Sequence, residues 1–172
     1  MLKNKMTERK VIGFWKAGKP YGFMSQWYYS DFTDNGIKFN TCEKYMMYQK
    51  AKLFNDNESI KTILKVHAPF KIKKLGRKVR GFVQEDWDNA KEEIIYKANL
   101  LKFSQNEKLK TQLIDTKDDI LAEASPYDKI YGIGMYPNDV LVQFPSKWKG
   151  QNLLGKALMR VRKELREIEE KT

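Results

Sequence analysis

Leu154, Leu158, Val161, Leu165 and Ile168 recur at steps of 4, 3, 4 and 3 near the end of the chain. That rhythm returns to one side of an α-helix, so residues 152–169 predict an amphipathic helix with a narrow apolar stripe. Such a helix holds only when other elements cover the stripe. Gly155 lies inside it; glycine costs a helix about 1 kcal/mol against alanine and predicts that another backbone comes close there. A chain of 172 residues suffices for one domain with its own core, so no disulfide or metal staple is needed. The one cysteine, Cys42, cannot form an internal disulfide. It reads as a small buried apolar residue in a reducing compartment.

Residues 1–10 read as a basic N-terminal tail and 11–172 as the domain. From Val11 to Phe39 aromatic residues mix with turn formers, and Asn35-Gly36 marks a hairpin turn. Short strands are predicted around 11–15, 28–33 and 37–40. Thr41 suits a helix N-cap and Glu43 the positive end of a helix running to about Phe54. Further helices are expected at 57–66, stopping before Pro69, at 69–75, ending at Gly76, at 86–103 and at 106–115. A strand at 120–124, a loop at 125–134 and a strand at 139–144 precede the final helix. Strands first, then mostly helices, then a little strand predict an α+β fold: a single compact, mainly helical domain with a few short strands. Trp15, Trp27 and Trp148 are assigned to the core.

The net charge of +11, from 33 Lys+Arg against 22 Asp+Glu, creates a field that draws in anions such as nucleic acid, nucleotides or phosphorylated metabolites. No run approaches the ~20 apolar residues of a membrane span, and the first ten residues lack the apolar stretch of a secretory signal. The chain therefore reads as cytoplasmic, without a membrane partner. A single histidine, His67, excludes HExxH and His-rich zinc sites. No P-loop or GxSxG elbow is present, and Gly132-Ile133-Gly134 lacks the third glycine of a dinucleotide fingerprint. Carboxylates, lysines and aromatics remain. They suit glycosidic chemistry, whose transition state is a cationic oxocarbenium ion that a carboxylate stabilises and whose base an aromatic ring can face. That chemistry calls for no metal or cofactor. Glu43 and Lys50 are seven apart on the predicted helix. Their side chains therefore point the same way, about 10 Å apart, a span that brackets a ribose and its base.

Seven runs in order carry a resemblance: Pro20-Tyr21-Gly22-Phe23-Met24-Ser25; Glu43-Lys44-Tyr45-Met46 with Gln49-Lys50-Ala51; Gly76-Arg77-Lys78-Val79; Trp87; Lys102-Phe103-Ser104-Gln105-Asn106; Glu123 through Gly134; and Trp148 through Met159. Together they are similar to the NADAR/YbiA-like family. The resemblance implies a mainly helical α+β fold and hydrolysis of N-glycosidic bonds. It implies one of two substrate classes: a phosphorylated ribosylamino-pyrimidine intermediate of riboflavin synthesis, or ADP-ribose attached to guanine bases, with nucleic acid then the modified substrate. Glu43 matches the family's acidic residue, Lys50 the lysine of its Gln-Lys pair, and Trp87 its tryptophan. Asp128, Tyr131 and Gly132 match its Asp-x-x-aromatic-Gly run, and Asn152 the asparagine before Leu-Leu-Gly. Gln26 stands where the family has asparagine, Lys44 where it commonly has histidine, and Tyr131 where YbiA has tryptophan.

Given that resemblance, Glu43 is expected to act at the anomeric carbon, as base toward water or as electrostatic stabiliser. Lys50 is expected either to hold a phosphate or ribose hydroxyl, or to attack a ring-opened ribose as a Schiff-base nucleophile. Asp128 is expected to orient the ribose diol or water, with Glu123 a second candidate; its structural alternative is to cap its own turn. Trp87 and Tyr131 are expected to stack on the base, with Gly132 beside them. Arg77 is expected to pair with a phosphate. Asn152 is expected to contact substrate or to serve as an N-cap. The alternative to an enzyme is a binding module for ADP-ribose or nucleic acid.

Overall fold

Asn-Gly between two extended runs favours positive φ at both positions, and the chain adopts it: φ is 48° at Asn35 and 78° at Gly36. This joins strand β2 (Phe32–Asp34) to β3 (Ile37–Phe39) in an antiparallel hairpin with Asp34 opposite Ile37. A computed structural model describes residues 9–171; most of the basic tail lies outside the described residues. The second sheet is non-local. Strand β1 (Val11–Phe14) runs parallel to β4 (Ile120–Glu123), Val11 facing Ile120 and Phe14 facing Glu123.

Among the described residues six α-helices surround these strands: α1 (Cys42–Leu53), α2 (Asn57–Lys65), α3 (Pro69–Gly76), α4 (Gln84–Ser104), α5 (Glu107–Ile114) and α6 (Leu153–Glu169). Local signals set their ends. Thr41 Oγ1 accepts from the Lys44 N–H at 3.2 Å, capping α1. Asp56 does the same for α2 through Ser59. Pro69 opens α3, where its missing N–H is not needed. None of the helices is long and apolar enough to cross a membrane.

Leu154, Leu158, Val161 and Leu165 of α6 pack with Phe14, Leu121, Ile95, Phe103 and Leu113 into the main core. The opposite face of the β1–β4 pair is covered by Ile133, Met135 and Val142. A second cluster joins α1, α2 and α3 through Met46, Met47, Ile63 and Ile72, and takes in Trp87. The hairpin lays Phe32 and Phe39 on Tyr45 and Ala98. Helix α4 touches both halves. At Gly155 an added Cβ would lie 2.1 Å from the Leu121 carbonyl oxygen, so the glycine lets α6 rest directly on β4.

Two expected strands change. The first, 28–33, shrinks to Phe32–Asp34 because the Tyr28 N–H closes a turn on the Ser25 carbonyl at 3.1 Å. The second, 139–144, is a 3-10 turn over Val140–Gln143. Asp139 accepts from the Leu141 N–H at 2.8 Å, and such a local bond competes with a sheet ladder. Gln143 still reaches the free edge of β1: its side-chain amide exchanges two hydrogen bonds with the Val11 backbone, 3.2 and 3.0 Å.

Candidate active site

Glu43 sits in the first turn of α1, where exposed N–H groups favour a negative charge. Its side chain is nonetheless turned inward and only 3% of the residue is exposed. The backbone N–H donates to the Gln26 carbonyl at 3.0 Å. Oε2 accepts from the Trp27 indole N–H at 3.3 Å, and Oε1 has no hydrogen-bond partner among the described residues. Burial pushes the carboxyl up to about 7, against the field of Lys73, the Trp27 bond and Arg77; Asp128 adds to the rise.

A second carboxylate points into the same space. Glu123 ends β4, and its Oε2 is also buried without a partner. Burial first, then the charge of Asp128, push it up to about 8, while Lys73 opposes and Glu43 adds to the rise. Two buried carboxyl oxygens with no partner are costly to folding, and nothing in the core needs them.

The surrounding groups come from every layer. Lys50, two turns after Glu43 on α1, lies with Nζ 5.3 Å from the Trp87 ring centroid and 4.3 Å from that of Phe82. Its pKa is lowered by burial and partly restored by Glu43. Tyr131 is pushed above the usual phenol range by burial and by Glu43 and Asp128, and its hydroxyl meets the Trp87 side chain. Lys73 on α3 and Arg77 at its C-cap, four residues on, add positive charge near Glu43. Glu43, Lys50, Trp87, Tyr131, Asp128 and Arg77 therefore converge on one cluster.

Asp128, Gly132 and Asn152 also build the scaffold. Asp128 Oδ1 accepts from the N–H groups of Ile130 (2.9 Å), Tyr131 (2.8 Å) and Gly132 (3.5 Å), which folds the loop around it. At Gly132 a Cβ would meet the carbonyl oxygens of Asp128 and Glu123 at 2.8 Å. Asn152 is buried with φ 55°. Its Nδ2 donates to the Leu121 carbonyl at 2.9 Å and its Oδ1 accepts from the Glu123 N–H at 3.1 Å. Its side chain makes no cap bond to α6 and instead holds the end of β4 that carries Glu123.

Sequence reasoning missed Lys73 and misplaced Trp27. Lys73 is four residues before Arg77, so helical spacing from Arg77 would have found it. Trp27, assigned to the core, is 38% exposed and serves Glu43. Trp15 and Trp148 are half-buried rather than central. Gln26, at the family's asparagine position, is buried, and its Oε1 accepts from Asn99 at 3.0 Å.

This arrangement, buried carboxylates beside lysines and aromatic rings on a mainly helical α+β scaffold, is that of a domain built for glycosidic chemistry. The chain belongs to the NADAR domain family, whose model matches residues 13–166. It is 43% identical over 167 residues to N-glycosidase R617 of Acanthamoeba polyphaga mimivirus, covering 92% of this chain and 98% of that protein. N-glycosidase Npun_R5314 of Nostoc punctiforme is 32% identical over 163 residues, covering 92% and 94%. The NMR structure of the E. coli protein YbiA superposes with a TM-score of 0.79 at 26% identity, covering 95% of this chain and 89% of that one.

Proposed function

We propose that this protein, a hydrolase of N-glycosyl bonds like the relatives it matches, cleaves the C1–N bond of a phosphorylated ribosylamino-pyrimidine. The observation that carries this reading is the Glu43 carboxyl, buried with one oxygen fixed by Trp27 and the other unpartnered. An ionised carboxylate held there faces a developing oxocarbenium charge, or draws a proton from the attacking water. Glu123, which keeps its proton to higher pH, supplies that proton to the departing nitrogen. Trp87 and Tyr131 wall the base. Lys73 and Arg77 take the phosphate. Lys50, with its ammonium partly desolvated, holds a ribose hydroxyl or attacks C1 of the ring-opened sugar.

A second reading, ADP-ribose removed from guanine in nucleic acid, is favoured by one observation. From Ser59 to Gln84 the chain has eight Lys or Arg and no Asp or Glu, and only Lys61 and Arg80 are ion-paired among the described residues. That is more positive surface than one phosphate requires.

Incubating wild type and Glu43→Gln with both substrates tests the assignment. Wild type should release base from the ribosylamino-pyrimidine, and Glu43→Gln should lose roughly 10²–10⁴-fold in kcat while still binding. Full turnover by Glu43→Gln would remove Glu43 from the chemistry. Salt-sensitive binding without base release from either substrate would instead mark a binding module. Borohydride trapping in the same assay separates the two roles of Lys50, because only the Schiff base leaves a covalent adduct.

A further inference from the structure

Lys102 is the most deeply buried cation among the described residues, with none of its surface exposed. It lies near the end of α4. Its Nζ donates to the carbonyls of Phe23 (2.6 Å) and Ser25 (3.2 Å). It also sits 5.3 Å from the Tyr28 ring centroid and 5.0 Å from that of Phe103. No carboxylate pairs with it among the described residues, and burial pushes its ammonium down to about 8; the nearby Cys42 thiol on α1, pushed up to about 11 by its own burial, is neutral and offers no counter-charge. A desolvated ammonium without a counter-ion is costly, and an apolar side chain of similar volume would fill the space without that penalty. What the charge accomplishes here is to bind two carbonyls of one short segment.

That segment also holds Glu43. Ser25 Oγ accepts from the Trp27 N–H at 3.2 Å. The Gln26 carbonyl accepts from the Glu43 N–H, and the Trp27 indole donates to its Oε2. Asn99, nearly one turn before Lys102 on α4, adds a second tie through the Gln26 side chain. Both hydrogen bonds to Glu43 therefore come from backbone and side chain that α4 pins from behind.

We propose that Lys102 is a positioning residue for Glu43: acting through the 23–27 backbone, it fixes the Trp27 indole on one carboxylate oxygen. The assignment rests on reading Glu43 as the catalytic carboxylate, but the link itself has its own readout. The groups facing Glu43 are Cys42 and Lys50 on its own helix, Lys73 on α3 and Arg77 just past its end, Glu123 on β4, Asp128 and Tyr131 in the following loop, and the Trp27 indole. Of these, the indole is the one carried by the segment whose carbonyls Lys102 binds. The indole bond favours the ionised carboxylate, so losing it makes Glu43 hold its proton to higher pH.

The test uses Lys102→Met, Lys102→Gln, Trp27→Phe and the double variant Lys102→Met/Trp27→Phe in the full chain. Lys102→Met and Trp27→Phe should each move the acid limb of kcat/KM up by roughly 0.5–1 pH unit and lower kcat by about 10–100-fold with little change in KM. Lys102→Gln, which keeps a neutral donor, should fall between Lys102→Met and wild type and stands in for Lys102→Met should that variant not fold. The double variant should be no worse than the poorer single one, as for residues acting through one path. Independently of activity, the Trp27 indole N–H resonance should titrate with Glu43 in wild type and stop doing so in Lys102→Met, Lys102→Gln being intermediate. An unmoved acid limb, additive effects in the double variant, or an indole titration preserved in Lys102→Met and Lys102→Gln would each overturn the proposal. Turnover retained by Glu43→Gln would refute the catalytic reading alone, since the resonance still reports the link.

Discussion

A carboxyl that keeps its proton to about pH 7 ties the stability of this chain to its activity. An exposed glutamate releases its proton near 4.5, so the folded chain holds one that the unfolded chain has already lost. The contribution of Glu43 to stability is therefore full below about pH 4.5 and disappears as pH rises through about 7. Above that range the buried charge costs about 3 kcal/mol, because every tenfold change in proton affinity on folding is worth about 1.4 kcal/mol. Glu43→Gln should then leave Tm unchanged near pH 4 and raise it by several degrees near pH 8, where scanning calorimetry would show it. Activity should run the other way, rising through about pH 7 as the base ionises and falling above about 8 as Glu123 loses its proton. The two limbs belong to the carboxylate pair jointly. The convergence of Glu43 and Lys50 was legible from their spacing of seven on one helix. Trp27 was not, because nothing in a run of aromatics tells which ring faces a carboxylate and which faces the core. Glu123 was legible only as a second choice: the groups that act on its buried carboxyl, Asp128, Lys73 and Glu43, come from distant parts of the chain, which no local signal records.

At the scale of elements, capping and turn chemistry carried most of the prediction. Thr41, Pro69 and Asn35-Gly36 each end or begin an element where their side chains or φ preferences demand. Leu154, Leu158, Val161 and Leu165 of α6 face the core as their spacing predicts, whereas Ile168, the last residue of the expected stripe, is exposed in the final turn; Gly155 marks where a second backbone arrives. What failed was the strand expected over 139–144. Its apolar residues suit a strand, but the Asp139 side chain satisfies the next turn first and a glutamine amide takes the strand's place at the edge of β1. Gly155→Ala tests the α6–β4 contact. The added methyl meets backbone on β4 and the Asn152 side chain, neither of which can swing away. Overpacking of this kind costs about 1–3 kcal/mol, and Tm should fall by roughly 2–4 °C for each of them. Because Asn152 also holds the Glu123 N–H, kcat should drop as well. A Gly155→Ala chain with native Tm and kcat would show that the helix can retreat without consequence.

For the whole molecule, charge is distributed unevenly. The acid-free stretch from Ser59 to Gln84 includes all of α3. Lys73 of that helix and Arg77 at its C-cap act on the Glu43 carboxyl, while Lys71, Lys74 and Lys78 line a groove of about 240 Å³ with Thr62 and Val66. Such a field acts at a distance and is screened by salt over roughly 8–10 Å at physiological strength. KM for the free phosphorylated riboside should rise about threefold between roughly 50 and 300 mM NaCl, with kcat unchanged. A salt-independent KM would mean the stretch plays no part in capturing substrate. If the physiological substrate is instead a nucleic acid, the same series should show a loss on the order of 10²-fold or more, as about one counterion is released per phosphate contacted.

The parallel pairing of Val11–Phe14 with Ile120–Glu123 has a consequence for the order of assembly. During synthesis the first strand leaves the ribosome long before its partner exists, and it must wait without a neighbour while α1 to α5 emerge. Glu43 and its first neighbours, Trp27, Lys73 and Arg77, are translated early, yet Glu123 and Asp128 arrive only with β4 and the loop after it. A nascent chain halted before residue 120 thus lacks the second carboxylate and the loop beside it, so the paired site is among the last features the molecule completes.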